Sequence, residues 1–336
     1  MPKSRRANAV IFGFDFQVNA AIVLMIENIK EMDALRLEGN YEDIELELND
    51  GGYIFAQAKA VEKGSSDFSH VRENLKKALT SLSEATQNTL TEKLILITNS
   101  TNPLNDENSK NVFYGEAHRS FDSLPDSSKD IISKYLSNLS QPLDTSKFMI
   151  QVLPFETDDD NERYKVVKTK IDDFIGGMNL NIPGLGKKLM TTWHEDIFKN
   201  GSKKDLSIVL RKKDVIWPII VIATDIERCD EDLQEEFDAG IYDEIVYRYR
   251  NIIDSCCERY DFFIKVLYDY NDYQSPGKKP KEKCLDFAMN KWSDYLQDFE
   301  IADMDDETKQ GLIQIILYSI VRNRLSIDKI KREVNL

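Results

Sequence analysis

The chain has 336 residues, a length that fits roughly two domains of typical size. Hydrophobic residues make up 41% of it and charged residues 31%, which is enough apolar side chain for a packed core and too much for a disordered chain. The 44 basic and 59 acidic residues give a net charge of −15, which argues against a nonspecific coat protein of nucleic acid. This net charge does not exclude an enzyme that binds nucleic acid in a local basic groove.

The acidity is uneven along the chain. Residues 216–336 hold 16 basic and 26 acidic residues, a net charge of −10, whereas residues 1–215 carry a net charge of −5. All the strands predicted below fall in the first segment. We therefore predict an α/β domain over 1–215, followed by an acidic, all-α domain over 216–336 that serves in assembly or interaction.

The sequence gives little indication of a membrane-spanning helix or of a signal peptide for secretion. The longest runs of consecutive apolar residues, 20–26 and 215–223, fall well short of the ~18–20 that a membrane-spanning helix needs. Asp15 interrupts the apolar run behind the basic N-terminus, which makes a poor signal peptide. The four cysteines, two of them adjacent, form no disulfide framework. We predict a cytoplasmic protein without a membrane partner.

In chain order, the N-terminal segment is predicted as helix, hairpin, helix, strand, helix, strand. Apolar residues at helical spacing predict helices over 16–32, 67–85, 126–139 and 160–176, and short apolar or alternating runs predict strands over 43–48, 53–60, 93–99 and 148–153. Residues 49–52, with sequence Asn-Asp-Gly-Gly, are a strong turn signal between the first two strands. A capping box at 202–205 is expected to open another helix. This order predicts a mixed sheet flanked by helices.

From residue 216 onward the sequence shows no convincing strand. Apolar and aromatic residues keep helical spacing over 241–267, and further helices are expected near 281–299, 306–323 and 325–334.

The predicted hairpin holds the residues with the clearest chemical potential. Gln57 and Lys59 share one face of the second strand, because side chains alternate with a period of two. Asp43 begins the preceding strand, which the turn places alongside. We therefore expect Asp43, Gln57 and Lys59 to converge.

The pattern of Asp43 followed, after thirteen residues, by Gln57-Ala58-Lys59 resembles the active site of the PD-(D/E)xK nuclease superfamily, with glutamine in the second acidic position. Residues 13–17 (Gly-Phe-Asp-Phe-Gln), Glu38 and the Glu42-Asp43 pair extend the likeness to the nuclease domain of bacterial anti-phage effectors, such as the endonucleases of CBASS systems. A short nuclease with a helical tail looks most like the effector subunit of Lamassu-type defence systems. The resemblance covers about residues 8–215.

This resemblance implies a restriction-endonuclease-like sheet and metal-dependent cleavage of double-stranded DNA. Asp43 would be a ligand of Mg²⁺ (or Mn²⁺), Gln57 the second ligand position and Lys59 the catalytic lysine. Gln17 would lie near the site, and Glu38 would be a further acidic contributor. The implied partners are an SMC-like ATPase and a small third subunit. A homo-oligomer is implied for the active state, and the enzyme is expected to be held inactive until a phage or plasmid triggers it.

Each of these residues also has a plainer interpretation. Asp43 and Lys59 can be surface charges of a half-exposed strand, Gln17 a helix-cap amide and Glu38 a surface acid. Because Gln57 lacks the charge of a carboxylate, a non-catalytic scaffold with a degenerate nuclease fold is the alternative function. A stand-alone restriction-type nuclease is the third.

Three other motifs are interpreted as structural. His194 begins a pattern that resembles a zinc-protease helix, but Phe198 occupies the place of its second histidine. Residues 183–188 lack the spacing of a phosphate-binding loop, and the cysteines lack the spacing of a metal site.

Overall fold

The computed structural model describes residues 8–61, 68–86, 90–156, 158–180, 182–223, 231–237, 240–299 and 304–336. The chain divides into two compact units, Met1–Val215 and Ile216–Leu336. The first contains a mixed sheet with helices, and the second is helical throughout its described part. The predicted α/β class with a helical C-terminal region is therefore confirmed.

The first unit is built on a seven-stranded sheet. Its strands are β1 (Met32–Leu37), β2 (Ile44–Leu48), β3 (Tyr53–Lys59), β4 (Thr91–Thr98), β5 (Ala117–Ser120), β6 (Phe148–Val152) and β7 (Leu210–Arg211). Its helices are α1 (Asn8–Glu27), α2 (Val71–Ala85), α3 (Asp126–Leu136), α4 (Asp160–Arg163), α5 (Lys165–Gly177) and α6 (Leu185–Gly201), and α7 (Lys212–Ala223) begins in this unit. Short 3-10 helices span Glu107–Ser109 and Phe121–Ser123.

The strands lie in the order β5-β6-β4-β3-β2-β1-β7. β2 is antiparallel to both β1 and β3, whereas β4 is parallel to β3 and to β6. The pairs Ile44–Ala56 and Glu45–Phe55 fix the register between β2 and β3. Consequently β1 and β3 end, and β2 begins, at the same edge of the sheet.

Helices cover both faces of this sheet. α2 packs on one face through an apolar cluster that includes Phe55, Leu75, Leu79 and Leu96, all of which are buried. α1 packs against β1, β2 and β3 and also contacts α5 and α6. Its residue Phe16 is fully buried, and its ring meets the ring of Phe155 edge-on.

The second unit is a helical bundle around one buried helix. Its helices are α8 (Glu231–Gln234), α9 (Ile241–Glu258), α10 (Tyr260–Asp272), α11 (Pro280–Lys291), α12 (Asp306–Arg322) and α13 (Arg324–Val334), with a 3-10 helix over Trp292–Asp298. All residues of α12 from Gly311 to Val321 are buried, and α9, α10 and α11 pack around it. The helices predicted near 306–323 and 325–334 are confirmed.

The start of the sheet differs from the prediction. α1 ends at Glu27, well before residue 32. In the turn that follows, the amides of Ile29 and Glu31 donate to carbonyls three residues earlier, those of Ile26 (3.4 Å) and Asn28 (3.1 Å). β1 follows and was not predicted. Four consecutive residues of β1, from Ala34 to Leu37, are buried, and one of them is the charged Arg36, so the strand is more buried than its sequence indicates.

The prediction that a helix begins at 202–205 is wrong. α6 already occupies Leu185–Gly201, and Asp205 accepts hydrogen bonds from the Ser207 amide (2.9 Å) and hydroxyl (2.7 Å) in a turn. The helix predicted over 160–176 is divided into α4 and α5 at Tyr164. Short strands β5 and β7 were also not predicted.

One described helix, α1, is long and apolar enough to cross a membrane by length and composition, which the count of consecutive apolar residues had not suggested. In this structure 56% of its apolar window is buried inside the protein. That burial is typical of a core helix that covers a sheet.

Asn99 is expected to be essential for the stability of the first unit. Its buried amide accepts from the Val61 amide (2.7 Å) and donates to the carbonyls of Val61 (3.1 Å) and Phe155 (2.9 Å). Asn99→Ala leaves these backbone groups unpaired, so the free energy of unfolding should fall by about 2–4 kcal/mol in urea titrations. Asn138→Ala, which removes one exposed hydrogen bond, is the control and should cost less than about 1 kcal/mol. Equal losses in both variants would contradict the prediction.

Candidate active site

The structure brings Asp43 and Lys59 together at the edge where β3 ends. Asp43 directly precedes β2, and its Oδ2 accepts a hydrogen bond from the backbone amide of Ala58 (3.0 Å). The same oxygen lies 3.4 Å from Lys59 Nζ. The two side chains are 16% and 27% exposed, so the pair is sheltered but reachable from solvent.

Gln57 lies beside this pair. It is only 4% exposed, and it shares a face of β3 with Lys59. Since Ile44 pairs with Ala56, the continued antiparallel register puts Asp43 opposite Gln57. The position next to Asp43 is therefore occupied by a neutral amide.

Glu38 and Gln17 are the two remaining residues of the predicted active site. Glu38 follows β1 with φ of 53°, a left-handed conformation that turns the chain away from the strand. Its carboxyl group forms a hydrogen bond with the Gln17 side chain of α1 and interacts electrostatically with Asp43 and Lys59. Partial burial of the carboxyl group, followed by the charge of Asp43, raises the pKa of Glu38, while Gln17 and Lys59 act in the opposite direction.

Glu42, to which the sequence patterns assign no role of its own, has the most strongly raised pKa among the acids near this edge. Glu42 is 4% exposed, its Oε2 accepts from Ser81 Oγ of α2 (3.1 Å), and its Oε1 is buried without a hydrogen-bond partner. Burial raises the pKa of Glu42 to about 8. The only sequence signal was its place beside Asp43, since a buried glutamate and an exposed one look alike in sequence.

The donor atoms at this edge suit a hard divalent cation. Asp43 offers a carboxylate and Gln57 an amide carbonyl, and Mg²⁺ prefers such oxygen ligands. Both described contacts of the Asp43 carboxylate go to Oδ2, which leaves Oδ1 for another partner. Asp43 belongs to no cluster of three acidic, histidine or cysteine ligands within 4.8 Å among the described residues, so a cation here would meet few formal negative charges.

A separate cluster of potential metal-ligand atoms lies at the C-terminal end of α1. Atoms of Glu27, Glu116 and His118 lie within 4.8 Å of one another. Lys170 Nζ, however, lies 3.1 Å from Glu27 Oε1 and 2.6 Å from Glu116 Oε1. Because this ammonium already pairs with both carboxylates and offsets one of their two negative charges, the cluster is weak support for a metal and does not identify Mg²⁺.

His194 belongs to a hydrogen-bonded group centred on Asp15 of α1. Asp15 Oδ1 lies 3.0 Å from His194 Nε2 and accepts from Asn19 Nδ2 (2.9 Å), while Oδ2 accepts from the Tyr164 hydroxyl (2.9 Å) and lies 3.6 Å from an Arg163 nitrogen. These contacts tie α1 to α4, α5 and α6. His194 and Tyr164 also line a cleft of about 680 Å³ between α5 and α6.

No protein-family model matches the chain, no curated protein matches its sequence, and no solved structure matches its fold.

Glu42 should make stability fall as the pH rises. Its folded pKa, about 8, lies above the usual 4.5, so the folded protein keeps a proton that the unfolded chain releases. The stabilisation is complete below about pH 4.5 and is lost as the pH rises through 8. In EDTA, urea unfolding between pH 5 and 8 should therefore show a decline, and Glu42→Gln should flatten it by on the order of 3 kcal/mol.

Glu47→Gln is the matched control, since Glu47 is a half-buried glutamate on β2, the strand that follows the loop of Glu42. Its profile should run parallel to that of the wild type. Parallel profiles of the wild type and Glu42→Gln would show that Glu42 is ionised in the folded protein and would refute the prediction.

Proposed function

We propose that this protein is a metal-dependent endonuclease of double-stranded DNA and the effector subunit of a bacterial defence complex similar to Lamassu systems. The observation that carries the proposal is the contact between Asp43 Oδ2 and Lys59 Nζ (3.4 Å) beside the buried Gln57, at the edge where β3 ends. Glu38 and Gln17 at the same edge support it.

The order of elements around the site also supports the proposal. The chain forms α1, the antiparallel strands β1 to β3, α2 and then β4 parallel to β3. This is the arrangement expected of the restriction-endonuclease-like fold that the sequence resemblance implies. We include that finer fold assignment in the proposal.

The proposed roles follow from the chemistry of each group. Asp43 and Gln57 would hold Mg²⁺ (or Mn²⁺), which supplies a positive charge that polarises the scissile phosphate and lowers the pKa of a water molecule. Lys59 would place its ammonium against the developing negative charge of the phosphate or orient the attacking water. Asp43 holds this ammonium in place beforehand, and the partial exposure of Lys59 lets substrate reach it.

The proposal also assigns a role to the second unit. One chain would provide one such site, whereas a duplex has two strands to cut. We therefore propose that the active form is a homo-oligomer whose two-fold symmetry matches that of DNA. The described helical part of residues 216–336 has no strand and is rich in acidic residues, which suits protein contacts better than DNA contacts. We propose that it docks on an SMC-like ATPase and a small third subunit, which restrain the nuclease in the cytoplasm until it is triggered.

Plasmid cleavage by the purified chain tests this proposal directly. With Mg²⁺ or Mn²⁺, alone and with candidate partner subunits, wild-type protein should convert supercoiled plasmid to linear DNA in at least one assembly state. Asp43→Asn and Lys59→Ala should each reduce the rate by about 10²-fold or more, because each removes a charge that acts in the transition state.

Lys93→Ala is a suitable control, since Lys93 is an exposed lysine on the adjacent strand β4 and should be dispensable. Activity of the free subunit that disappears inside the complex would identify a restrained effector. Cleavage without partners in a chain that binds no ATPase would favour the stand-alone nuclease. Absence of cleavage in every assembly state would overturn the proposal in favour of a non-catalytic scaffold.

A further inference from the structure

We infer that Glu45 is a positioning residue for this site, whose buried carboxylate holds the loop 38–43 in the shape that presents Asp43 and Glu38. The catalytic consequence of this inference rests on the proposed nuclease function. The structural part rests on contacts within the first unit alone.

The loop 38–43 connects β1 to β2 and carries Glu38, Glu42 and Asp43. Two backbone hydrogen bonds close it, from the Glu38 amide to the Asp43 carbonyl (2.8 Å) and from the Gly39 amide to the Glu42 carbonyl (3.0 Å). These bonds do not use the other amides of the loop, among them those of Tyr41 and Glu42, which need other acceptors.

Glu45 supplies the acceptor for both amides. Its Oε1 accepts from the Tyr41 amide (2.5 Å) and from the Glu42 amide (3.2 Å), although Glu45 itself is only 9% exposed. The side chain thus reaches back from β2 into the loop that precedes it. Because the Glu42 amide is next in the chain to Asp43, any shift of this carboxylate is transmitted to the proposed metal ligand.

Gly39 makes the space that the Glu45 carboxylate needs. A Cβ atom at position 39 would overlap the carboxyl group of Glu45, so only glycine fits here without displacing it. This close approach is a second, independent sign that loop and carboxylate are built around each other.

Arg36 is the cross-strand neighbour of Glu45. Its guanidinium group donates to the carbonyls of Ile208 (2.6 Å) and Lys203 (2.7 Å). Arg36 is therefore anchored independently of the loop, and its positive charge offsets part of the cost of burying the Glu45 carboxylate.

Glu45 is a positioning residue and not a catalytic one, because its described contacts are with backbone amides. The oxygen that accepts those amides matters more than the negative charge. Glu45→Gln keeps an acceptor oxygen, Glu45→Ala removes it, and Gly39→Ala displaces it from the loop side. Glu47→Ala, two residues further along β2, is the matched control.

The experiment combines hydrogen exchange and cleavage kinetics on the full chain. In Glu45→Ala, amide exchange of loop 38–43 should accelerate about tenfold or more, because two hydrogen bonds are lost, while exchange of β4 should not change. With Mg²⁺, kcat for plasmid cleavage should fall about tenfold or more and KM should change less than about twofold. Gly39→Ala should reproduce the loss, Glu45→Gln should retain kcat within about threefold, and Glu47→Ala should match the wild type.

Each other outcome has a definite meaning. Unchanged loop exchange in Glu45→Ala would overturn the inference, as would wild-type kcat in a variant whose loop exchanges faster. An equal fall of kcat in Glu45→Gln and Glu45→Ala would overturn the inference, because it would show that the site needs the negative charge of Glu45 and not its acceptor oxygen. If Glu45→Ala does not fold, Gly39→Ala decides by the same two measurements. If the wild type cuts no DNA, the proposed function fails, and the exchange data still decide whether Glu45 holds the loop.

Discussion

The antiparallel register of β2 against β3 is the constraint on which the candidate site depends. It places Asp43 opposite Gln57 and lets the Asp43 carboxylate accept from the Ala58 amide (3.0 Å), one residue before Lys59. A slip of one residue would exchange the two faces of β2 and carry Asp43 away from Lys59. The turn at 49–52 and the apolar side chains of β2 hold this register, so the same features that build the sheet also assemble the site.

Several partly or fully buried carboxyl groups lie near the end of β3. Glu38, Glu42 and Glu45 all have raised pKa values, with burial as the largest cause, and Lys59 is the cation nearest to Asp43. Raised pKa values of this origin mean that burial opposes the ionisation of these carboxyl groups. Each of them therefore depends on its hydrogen-bond donors and on nearby positive charge to be ionised at neutral pH.

The sequence predicted the parts of the site that follow from local rules. Alternation along β2 and the turn at 49–52 were sufficient to expect Asp43 beside Lys59. The burial of β1 on both faces was not predicted, because it includes the charged Arg36, whose hydrogen-bond partners Ile208 and Lys203 lie far along the chain. The contact of Gln17 with Glu38 depends on how α1 packs on the sheet, and the burial of Glu45 contradicts the alternation that places it on a polar face. Packing between distant segments decides such features, and local periodicity does not record it.

The amide at position 57 changes where negative charge must come from. With a carboxylate there, β3 itself would supply the second charge for a cation, and the strand is rigid. With Gln57, the acidic groups other than Asp43 sit on the loop 38–43, whose shape depends on Gly39 and on the carboxylate of Glu45. The charge of the site therefore becomes conditional on the conformation of one short loop. This loop is held by two hydrogen bonds between its own backbone groups and by two more to the Glu45 carboxylate, which is a weaker support than the ladder of a strand.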